Sequence, residues 1–266
     1  MEFSPPDEGR MTQLLSLTDV TVGHGSRVVV RGLSLGVEAG EVFGLLGPNG
    51  CGKSTTLSAI VGLLPFHGEI RIAGRTMASD SRAFRRLVGI VPQDLALYEE
   101  LTVTQNLDFF ARLYGLSRVE RRRRLGEVLD FVQLADRATS VARTLSGGMQ
   151  RRLNLACALL HEPRVLLLDE PAAFLDVRHQ VDLFELLAEE VERAKLACVF
   201  VMHDLNVAAQ YASRVALMKS GELVAVGAIE EVMTYRRLRD VFDTDLYVGV
   251  NDITRDRFFL PMRKPT

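Results

Sequence analysis

The sequence predicts an α/β fold in which a mainly parallel sheet is preceded by an antiparallel β layer and interrupted by a helical insertion. The first observation is a glycine-rich loop at 47–55, which follows an apolar run of strand length at 41–46 and precedes a helical pattern. The second is a series of later short apolar runs with helical stretches between the first three, at 165–168, 198–202, 215–218 and 222–226. Strands that alternate with helices predict a parallel sheet covered on both faces, with its ligand beyond the carboxyl ends of the strands.

The N-terminal third of the chain predicts strands on both sides of the glycine-rich loop. Residues 14–37 alternate in a strand-like way, with glycine turns at 23–25 and 39–40, and predict the antiparallel layer. The helix after the loop is expected to present Leu57, Ile60, Val61 and Leu64 on one face. A strand at 68–74, a polar helix at 81–87 and a strand at 88–92 are predicted next.

The helical insertion is predicted where the strand pattern disappears, from 95 to 163. Helical patterns occupy 104–114, 118–134 and 146–160. The basic block at 121–124 lies on the second of these helices, and we interpret it as a solvated helix face rather than a nucleic-acid site.

The two ends of the chain predict less regular structure. The C-terminal part reads as one helix from 229 to 242, followed by strands at 246–250 and 257–260 packed onto the body. The polar N-terminal residues contain two prolines and predict a disordered tail rather than a signal peptide. The predicted division is a tail at 1–13, a core at 14–94 and 164–227, a helical subdomain at 95–163 and a C-terminal extension at 228–266.

Composition restricts the class of protein. The 266 residues are 47% hydrophobic and 25% charged, with a net charge of -2, so no nucleic-acid partner is predicted. Cys51, Cys157 and Cys198 are far apart, and their odd number argues against a disulfide framework, which fits a reducing cytosol. The longest apolar runs are far shorter than the ~20 residues that cross a bilayer, so any membrane crossing is expected to come from another chain.

The glycine-rich loop predicts a phosphate site because it fits the pattern G-x-x-x-x-G-K-[ST]. Its residues are Gly47, Pro48, Asn49, Gly50, Cys51, Gly52, Lys53, Ser54 and Thr55. In such a loop the backbone N–H groups and the N-terminus of the next helix surround the phosphates. Lys53 would add a charge for the β- and γ-phosphates, and Ser54 a hydroxyl for Mg²⁺. A glycine turn without a ligand is the alternative, which the strand–loop–helix context disfavours.

Two further segments carry chemistry. Asp169 and Glu170 end a buried strand, where adjacent side chains diverge, so that Asp169 suits a Mg²⁺ ligand and Glu170 a base or water-positioning group. The segment 145–149 places Ser146 as an N-cap beside two glycines, which makes a second anion site at a helix N-terminus. Each pattern also has a purely structural explanation, as a common strand end and as a helix cap without a ligand.

Taken in order and spacing, these pieces resemble the ATP-binding cassette (ABC) ATPases, a family of P-loop NTPases, over residues 14 to about 227. Gly47–Thr55 resembles the phosphate loop, Gln93 the Q-loop, 145–149 the signature, 165–169 the second nucleotide motif, Glu170 the catalytic carboxylate, Asp176 the D-loop and His203 the switch histidine.

The resemblance implies an ATPase that uses ATP and Mg²⁺ in a head-to-tail dimer, expected to be a homodimer. Ser146, Gly147 and Gly148 of one copy would bind the γ-phosphate held by the other. The implied metal ligands are Ser54, Gln93 and Asp169. The implied catalytic residues are Glu170, His203, Gln93 and Asp176. Integral membrane transporter subunits are the further partners, which places the chain in the cytoplasm, peripheral on the inner face of a membrane.

Three positions depart from the family pattern. His24 stands where an aromatic residue usually stacks on adenine, Ala172 where Thr or Ser is frequent, and Met149 where Gln is frequent. None of these changes removes a predicted catalytic group. Adenine selectivity is expected to be weaker, or to be supplied by Val22 or a shifted loop.

The transported substrate class is predicted from less specific resemblances. Residues 92–103, 109–115 and 146–152 are similar to cassettes of drug, lipid or polysaccharide exporters. Residues 174–180 and 241–250 are similar to importers of iron chelates, haem or cobalamin. We favour export, because the residues after Gln93 form the surface that family members present to the membrane subunit. A soluble ABC protein of the ribosome or of DNA repair is disfavoured, since it would carry two cassettes or a long coiled-coil insertion.

Overall fold

The computed structural model describes residues 13–25, 27–77 and 81–262. The strands are β1 (Gln13–His24), β2 (Arg27–Glu38), β3 (Val42–Leu46), β4 (Phe66–Ile72), β5 (Arg75–Thr76), β6 (Val88–Val91), β7 (Val165–Asp169), β8 (Ala197–Met202), β9 (Arg214–Lys219), β10 (Glu222–Ala228), β11 (Leu246–Val250) and β12 (Arg257–Pro261). The α-helices are α1 (Lys53–Ile60), α2 (Ser81–Arg85), α3 (Val103–Leu113), α4 (Arg118–Phe131), α5 (Gly147–Leu159), α6 (Val177–Ala194), α7 (Leu205–Tyr211), α8 (Ile229–Val232) and α9 (Tyr235–Phe242). The predicted tail lies outside the described residues except at Gln13, which begins β1.

The central sheet has six strands in the order β10-β9-β3-β8-β7-β6. The five strands from β9 to β6 are parallel, and every residue of β3 and β8 is buried, as expected for a parallel sheet covered on both faces. β10 is antiparallel to β9 because Ser220 and Gly221, both with positive φ, form a two-residue hairpin turn. The predicted mainly parallel α/β fold is confirmed.

The antiparallel layer is also confirmed, and it covers one face of the central sheet. Its order is β2-β1-β4-β5. Buried residues of this layer and of α1 share one core with central-sheet residues such as Phe43 and Val199. The opposite face packs against α5, α6 and the C-terminal elements, where the rings of Phe184 and Phe200 meet edge to face, 5.7 Å apart.

The segment between β6 and β7 is helical, and capping decides where its helices begin. Thr102 with Gln105 and Ser117 with Glu120 form reciprocal capping boxes at the starts of α3 and α4. α4 ends at Phe131 rather than at the predicted residue 134, because Gln133 adopts a left-handed conformation that closes the helix. α1 and α2 likewise end earlier than predicted, at Ile60 and Arg85.

In the basic block at 121–124, Arg122 and Arg123 are exposed, as predicted for a solvated face, but Arg124 contradicts that prediction. Only 6% of Arg124 is exposed; its Nε donates to the carbonyl oxygen of Leu160 at 3.0 Å and its Nη2 to that of Leu159 at 2.7 Å. These carbonyls belong to the C-terminal turn of α5, where helix carbonyls lack partners within the helix. Arg124 therefore anchors α4 on α5, a contact between helices that the charge pattern of one helix does not reveal.

The C-terminal extension corrects the prediction of a single helix. α8 and α9 are separated at Met233 and Thr234, and Thr234 is extended, with φ −89° and ψ 152°. The break lets Met233 and Leu238 both be buried in the main core, together with Val241. β11 and β12 pair as a hairpin, and Asn206 of α7 hydrogen bonds to both backbone groups of Phe259 in β12. Within the three described stretches, no helix is long and apolar enough to cross a membrane.

Candidate nucleotide-binding site

The glycine-rich loop connects β3 to α1 at the carboxyl edge of the central sheet. Gly47 has φ +154°, and a Cβ there would lie 2.3 Å from the carbonyl oxygen of Met218. Gly52 precedes α1 with φ +108°, and a Cβ there would lie 2.9 Å from Cγ2 of Val30. Both positions therefore require glycine, because a side chain would be strained in the backbone and in contact with a neighbouring strand. Close packing and strain, in addition to any ligand, account for the loop pattern.

Lys53 is the first residue of α1 and is held inside the loop. Its side chain is nearly buried, and Nζ donates to the carbonyl oxygens of Gly47 at 2.7 Å and Pro48 at 3.1 Å. A buried ammonium group requires such partners to offset its lost hydration. The positive charge is thereby fixed beside the N-terminus of α1, where an anion is also favoured by the helix dipole.

Ser54 and Asp169 bring the loop and the end of β7 together. The hydroxyl of Ser54 donates to Oδ1 of Asp169 at 3.0 Å. Burial raises the pKa of Asp169, although the Ser54 hydrogen bond and the charge of Lys53 oppose that shift. Hydroxyl and carboxylate oxygens are ligand atoms that suit Mg²⁺. Across the described ranges no group of three or more His, Cys, Asp or Glu side chains could hold a metal ion.

Glu170 and His203 pair across two neighbouring strand ends. Nδ1 of His203 lies 2.9 Å from Oε2 of Glu170. Glu170 follows β7, and its backbone N–H donates to the carbonyl oxygen of Val201 in β8 at 2.9 Å, although its φ of +45° is unusual for a glutamate. The Glu170 side chain is 15% exposed and the His203 side chain 69% exposed, so the carboxylate lies under the imidazole at the edge of the sheet.

A cavity of about 910 Å³ joins these groups. It is lined by Arg27, Val29, Asn49, Gly50, Gly52, Lys53, Ser54, Thr55, Gln93, Glu170, Ala173, Phe174 and His203. The predicted residues of the phosphate loop, the Q-loop and the two strand ends therefore meet at one cavity. Gly47, Pro48 and Cys51 complete the loop without lining the cavity, and Asp169 reaches it through its bond to Ser54. The cavity is large enough for a ligand of the size of a nucleotide.

The sequence patterns did not identify three groups of residues at or beside the cavity. Arg27 and Val29 line it from β2, and Phe174 lines it with 94% of its surface exposed and φ +66°. Arg151 of α5 is buried and donates to the backbone carbonyls of Pro92 and Gln93, which ties the predicted Q-loop to the helix whose start carries the predicted signature. The residue types at 151–152 do not indicate that Arg151 is buried while Arg152 is partly exposed.

The remaining predicted residues lie elsewhere in the described chain. Ser146 caps α5 by accepting the N–H of Met149 at 3.3 Å, followed by Gly147 and Gly148, and none of these three lines the cavity. Asp176 does not line it either, but caps α6 by accepting the N–H of His179 at 3.0 Å. The backbone of His24 pairs with Arg27 in the β layer. The predicted stacking of the His24 side chain on adenine lies outside what the structure describes.

The fold and the cavity can be compared with known proteins. The family model described as ABC transporter matches residues 30–173. The Nod factor export ATP-binding protein I of Ralstonia nicotianae is 35% identical over 241 residues, which cover 90% of this chain and 75% of the relative. The spermidine/putrescine import ATP-binding protein PotA of Acidothermus cellulolyticus is 40% identical over 233 residues, which cover 85% of this chain and 60% of the relative.

A solved structure shows the same architecture. CbiO1 of Clostridium perfringens, described as part of the ABC transporter complex CbiONQ, superposes with a TM-score of 0.78 at 27% identity, over 86% of this chain and 94% of that one. The fold is therefore that of the P-loop NTPases, and the resemblance inferred from the motifs is confirmed. The chain belongs to the ABC transporter family as an ATP-binding subunit, and it is an ATPase.

Proposed function

We propose that two copies of this chain form a head-to-tail homodimer around two ATP molecules and drive export through integral membrane subunits. The subunit would act in the cytoplasm, peripheral on the inner face of the membrane. One observation supports the proposed dimer. A single copy collects residues of the phosphate loop with Gln93, Glu170 and His203 at one cavity, whereas residues 146–148 at the start of α5 do not line that cavity.

The start of α5 is suited to a phosphate that another copy supplies. The first N–H groups of a helix have no partner within the helix, and they point outward with the positive end of its dipole. Ser146 and Gly147 are exposed at this end. A second copy that places its cavity against this surface would complete the cradle around the γ-phosphate, so that ATP holds the dimer closed and hydrolysis releases it.

Within the completed site, Glu170 is the proposed base. It would orient a water on the γ-phosphorus and accept its proton as the new P–O bond forms and the bond to the β-phosphate oxygen breaks. His203 would hold the Glu170 carboxylate through the 2.9 Å contact and face the γ-phosphate with its exposed edge. Lys53 would bind the β- and γ-phosphates. Mg²⁺, held by Ser54, Gln93 and Asp169, would neutralise phosphate charge.

An exposed aromatic pair supports a membrane partner beside the Q-loop. Tyr98 is 49% exposed and Phe109 38% exposed, and their rings are 4.6 Å apart in edge-to-face contact. Aromatic side chains are enriched at protein interfaces. The pair lies in the region where the sequence is similar to exporters. This region would contact the membrane partner, so its sequence is expected to vary with the type of partner. The alternative is an importer, and the similarity to the spermidine/putrescine import ATP-binding protein favours that alternative.

The reading frames that neighbour the gene test the direction of transport. A membrane-spanning permease without a gene for an extracellular or periplasmic binding protein is expected. A binding-protein gene in the same cluster would contradict export and favour the importer. Reconstitution with that permease in vesicles then decides directly, because ATP supplied on the side of this chain should move substrate away from that side.

A further inference from the structure

His179 lies directly against the helix start that carries the signature. Gly148 is buried, and a Cβ built on it would be 2.1 Å from Cδ2 and 2.9 Å from Nε2 of His179. No side chain fits into that space. The imidazole ring therefore sets how close the first turn of α5 approaches the first turn of α6.

The ring of His179 is held in one orientation. Its Nδ1 lies 2.8 Å from Oδ1 of Asp176, and the same oxygen accepts the backbone N–H of His179 at 3.0 Å. The backbone N–H and then the ring of His179 lower the pKa of Asp176, which favours its charged form. Gln180 adds a hydrogen bond from Nε2 to the carbonyl oxygen of Leu175 at 3.0 Å. The segment before α6 is thus attached to its first turn on two sides.

This segment connects two places that belong to different ATP sites in the proposed dimer. It begins at Glu170 and Phe174, which line the chain's own cavity. At its other end it leads into the first turn of α6, where His179 contacts Gly148 at the start of α5. The start of α5 would meet the ATP that the other copy holds. A displacement at Glu170 can therefore reach the other site through nine residues of chain and one side-chain contact.

We propose that His179 is a positioning residue that fixes the N-terminus of α5 against the Glu170–Asp176 segment and so couples the two ATP sites. The proposal rests on the proposed head-to-tail dimer. It assigns His179 no contact with ATP. Its effect is to place the N–H groups of Gly147 and Gly148 at the distance and angle at which the partner's γ-phosphate can be bound.

ATP-driven dimerisation tests the coupling. In a Glu170→Gln background, light scattering measures the ATP concentration at which half of the chain is dimeric, and a fluorescent ATP analogue at low protein concentration measures binding to the monomer. His179→Ala is expected to raise the half-dimerisation concentration about tenfold and to leave monomer binding unchanged. Arg178→Ala, at the exposed neighbouring position, is the matched control and should change neither quantity.

A double-mutant cycle with Gly148 separates coupling from general loosening. Gly148→Ala should weaken dimerisation because its Cβ collides with the imidazole ring. Adding His179→Ala makes room for that Cβ, so the double variant should dimerise better than the product of the two single effects predicts. If the effects multiply, the contact does not couple the helices and the proposal is wrong. Should His179→Ala unfold the chain, His179→Asn, which keeps a polar group near Asp176 without the ring, carries the same test.

The outcomes also distinguish this proposal from the proposed function. If the Glu170→Gln chain with an intact His179 does not dimerise in ATP, the head-to-tail dimer is wrong. If that chain dimerises and His179→Ala dimerises at the same ATP concentration, only the role of His179 is wrong. A variant that weakens analogue binding to the monomer as much as dimerisation would also contradict it, because the effect would then arise at the chain's own phosphate loop.

Discussion

Oε2 of Glu170 lies 2.9 Å from Nδ1 of His203, although 33 residues separate them in the chain. The contact follows from the sheet: β7 and β8 are parallel neighbours, so their carboxyl ends deliver both side chains to one place. The base that we propose for hydrolysis is thereby oriented before any ligand binds. Preorganised groups of this kind lower the reorganisation that a reaction requires.

Replacing Glu170 by Gln should abolish turnover while preserving ATP binding. The amide cannot accept the proton of the attacking water, and loss of a general base typically costs a factor of about 10² to 10⁴ in rate. Steady-state phosphate release measures turnover, and light scattering should show an ATP-bound dimer that persists. Glu189→Gln, at an exposed position of α6, is the control. Wild-type turnover in Glu170→Gln would show that the assigned role is wrong.

Lys53→Ala should weaken ATP binding. The loop would lose a fixed positive charge, and hydrogen bonds to charged groups contribute about 1.5–3 kcal/mol, or roughly a 10- to 100-fold change in affinity. Equilibrium titration with a fluorescent ATP analogue measures the affinity. Lys195→Ala removes an exposed lysine at the end of α6 and should leave affinity unchanged. Equal affinity of Lys53→Ala and the unmodified chain would count against the phosphate-loop assignment.

Arg124→Met should destabilise the fold. The substitution removes the guanidinium group that donates hydrogen bonds to the carbonyl oxygens of Leu159 and Leu160. Breaking such a buried polar contact lowers the free energy of unfolding by about 3 kcal/mol. Arg123→Met on the same helix removes an exposed ion pair and should cost less than about 1 kcal/mol. Urea unfolding of the two variants compares them directly. Similar small losses in both would mean that Arg124 does not anchor α4 on α5.

Stability should fall below neutral pH because of His161. Burial lowers its pKa from 6.5 to about 4, and its ring stacks on Tyr114 at 3.7 Å while Nε2 contacts the carbonyl oxygen of Val88. Between these values the unfolded chain binds a proton that the folded chain does not. The stabilisation is therefore complete above pH 6.5 and is lost as the pH falls toward 4, by up to about 1.4 kcal/mol per pH unit.

Unfolding free energies measured across this pH range test the prediction. His161→Phe keeps an aromatic ring against Tyr114 and removes the titration, so its stability should depend less steeply on pH. Identical slopes for the two proteins would show that His161 does not control acid stability.

The parts of the fold that follow from local pattern could be predicted from the sequence. The strand, glycine loop and helix around Lys53, and the carboxylates at the end of β7, depend on residue types at short spacing. The structure has them in the predicted order, although α1 ends earlier than predicted, at Ile60. Elements defined by contacts over long sequence separations could not be predicted. The burial of Arg124 depends on carbonyls 35 and 36 residues away, and the contact of His179 with Gly148 depends on how α5 and α6 pack.

Backbone conformation set a second limit on prediction. Phe174 lines the cavity with φ +66°, a conformation that side chains rarely adopt, and nothing in its residue type indicates it. The break between α8 and α9 likewise contains no proline or glycine; it lies at Met233 and Thr234, where Met233 is buried in the core. Residue type alone therefore did not locate either feature.

Mixing two inactive variants tests the composite site most directly. Lys53→Ala disables the phosphate loop of its own chain, and Ser146→Arg blocks the helix start that would serve the partner's ATP. In a mixed dimer, one site combines the intact loop of the second variant with the intact helix start of the first. We expect ATPase activity to appear on mixing, at up to about a quarter of the wild-type rate, since half of the dimers are mixed and each has one intact site. A mixture that remains as inactive as its two parents would contradict the head-to-tail site.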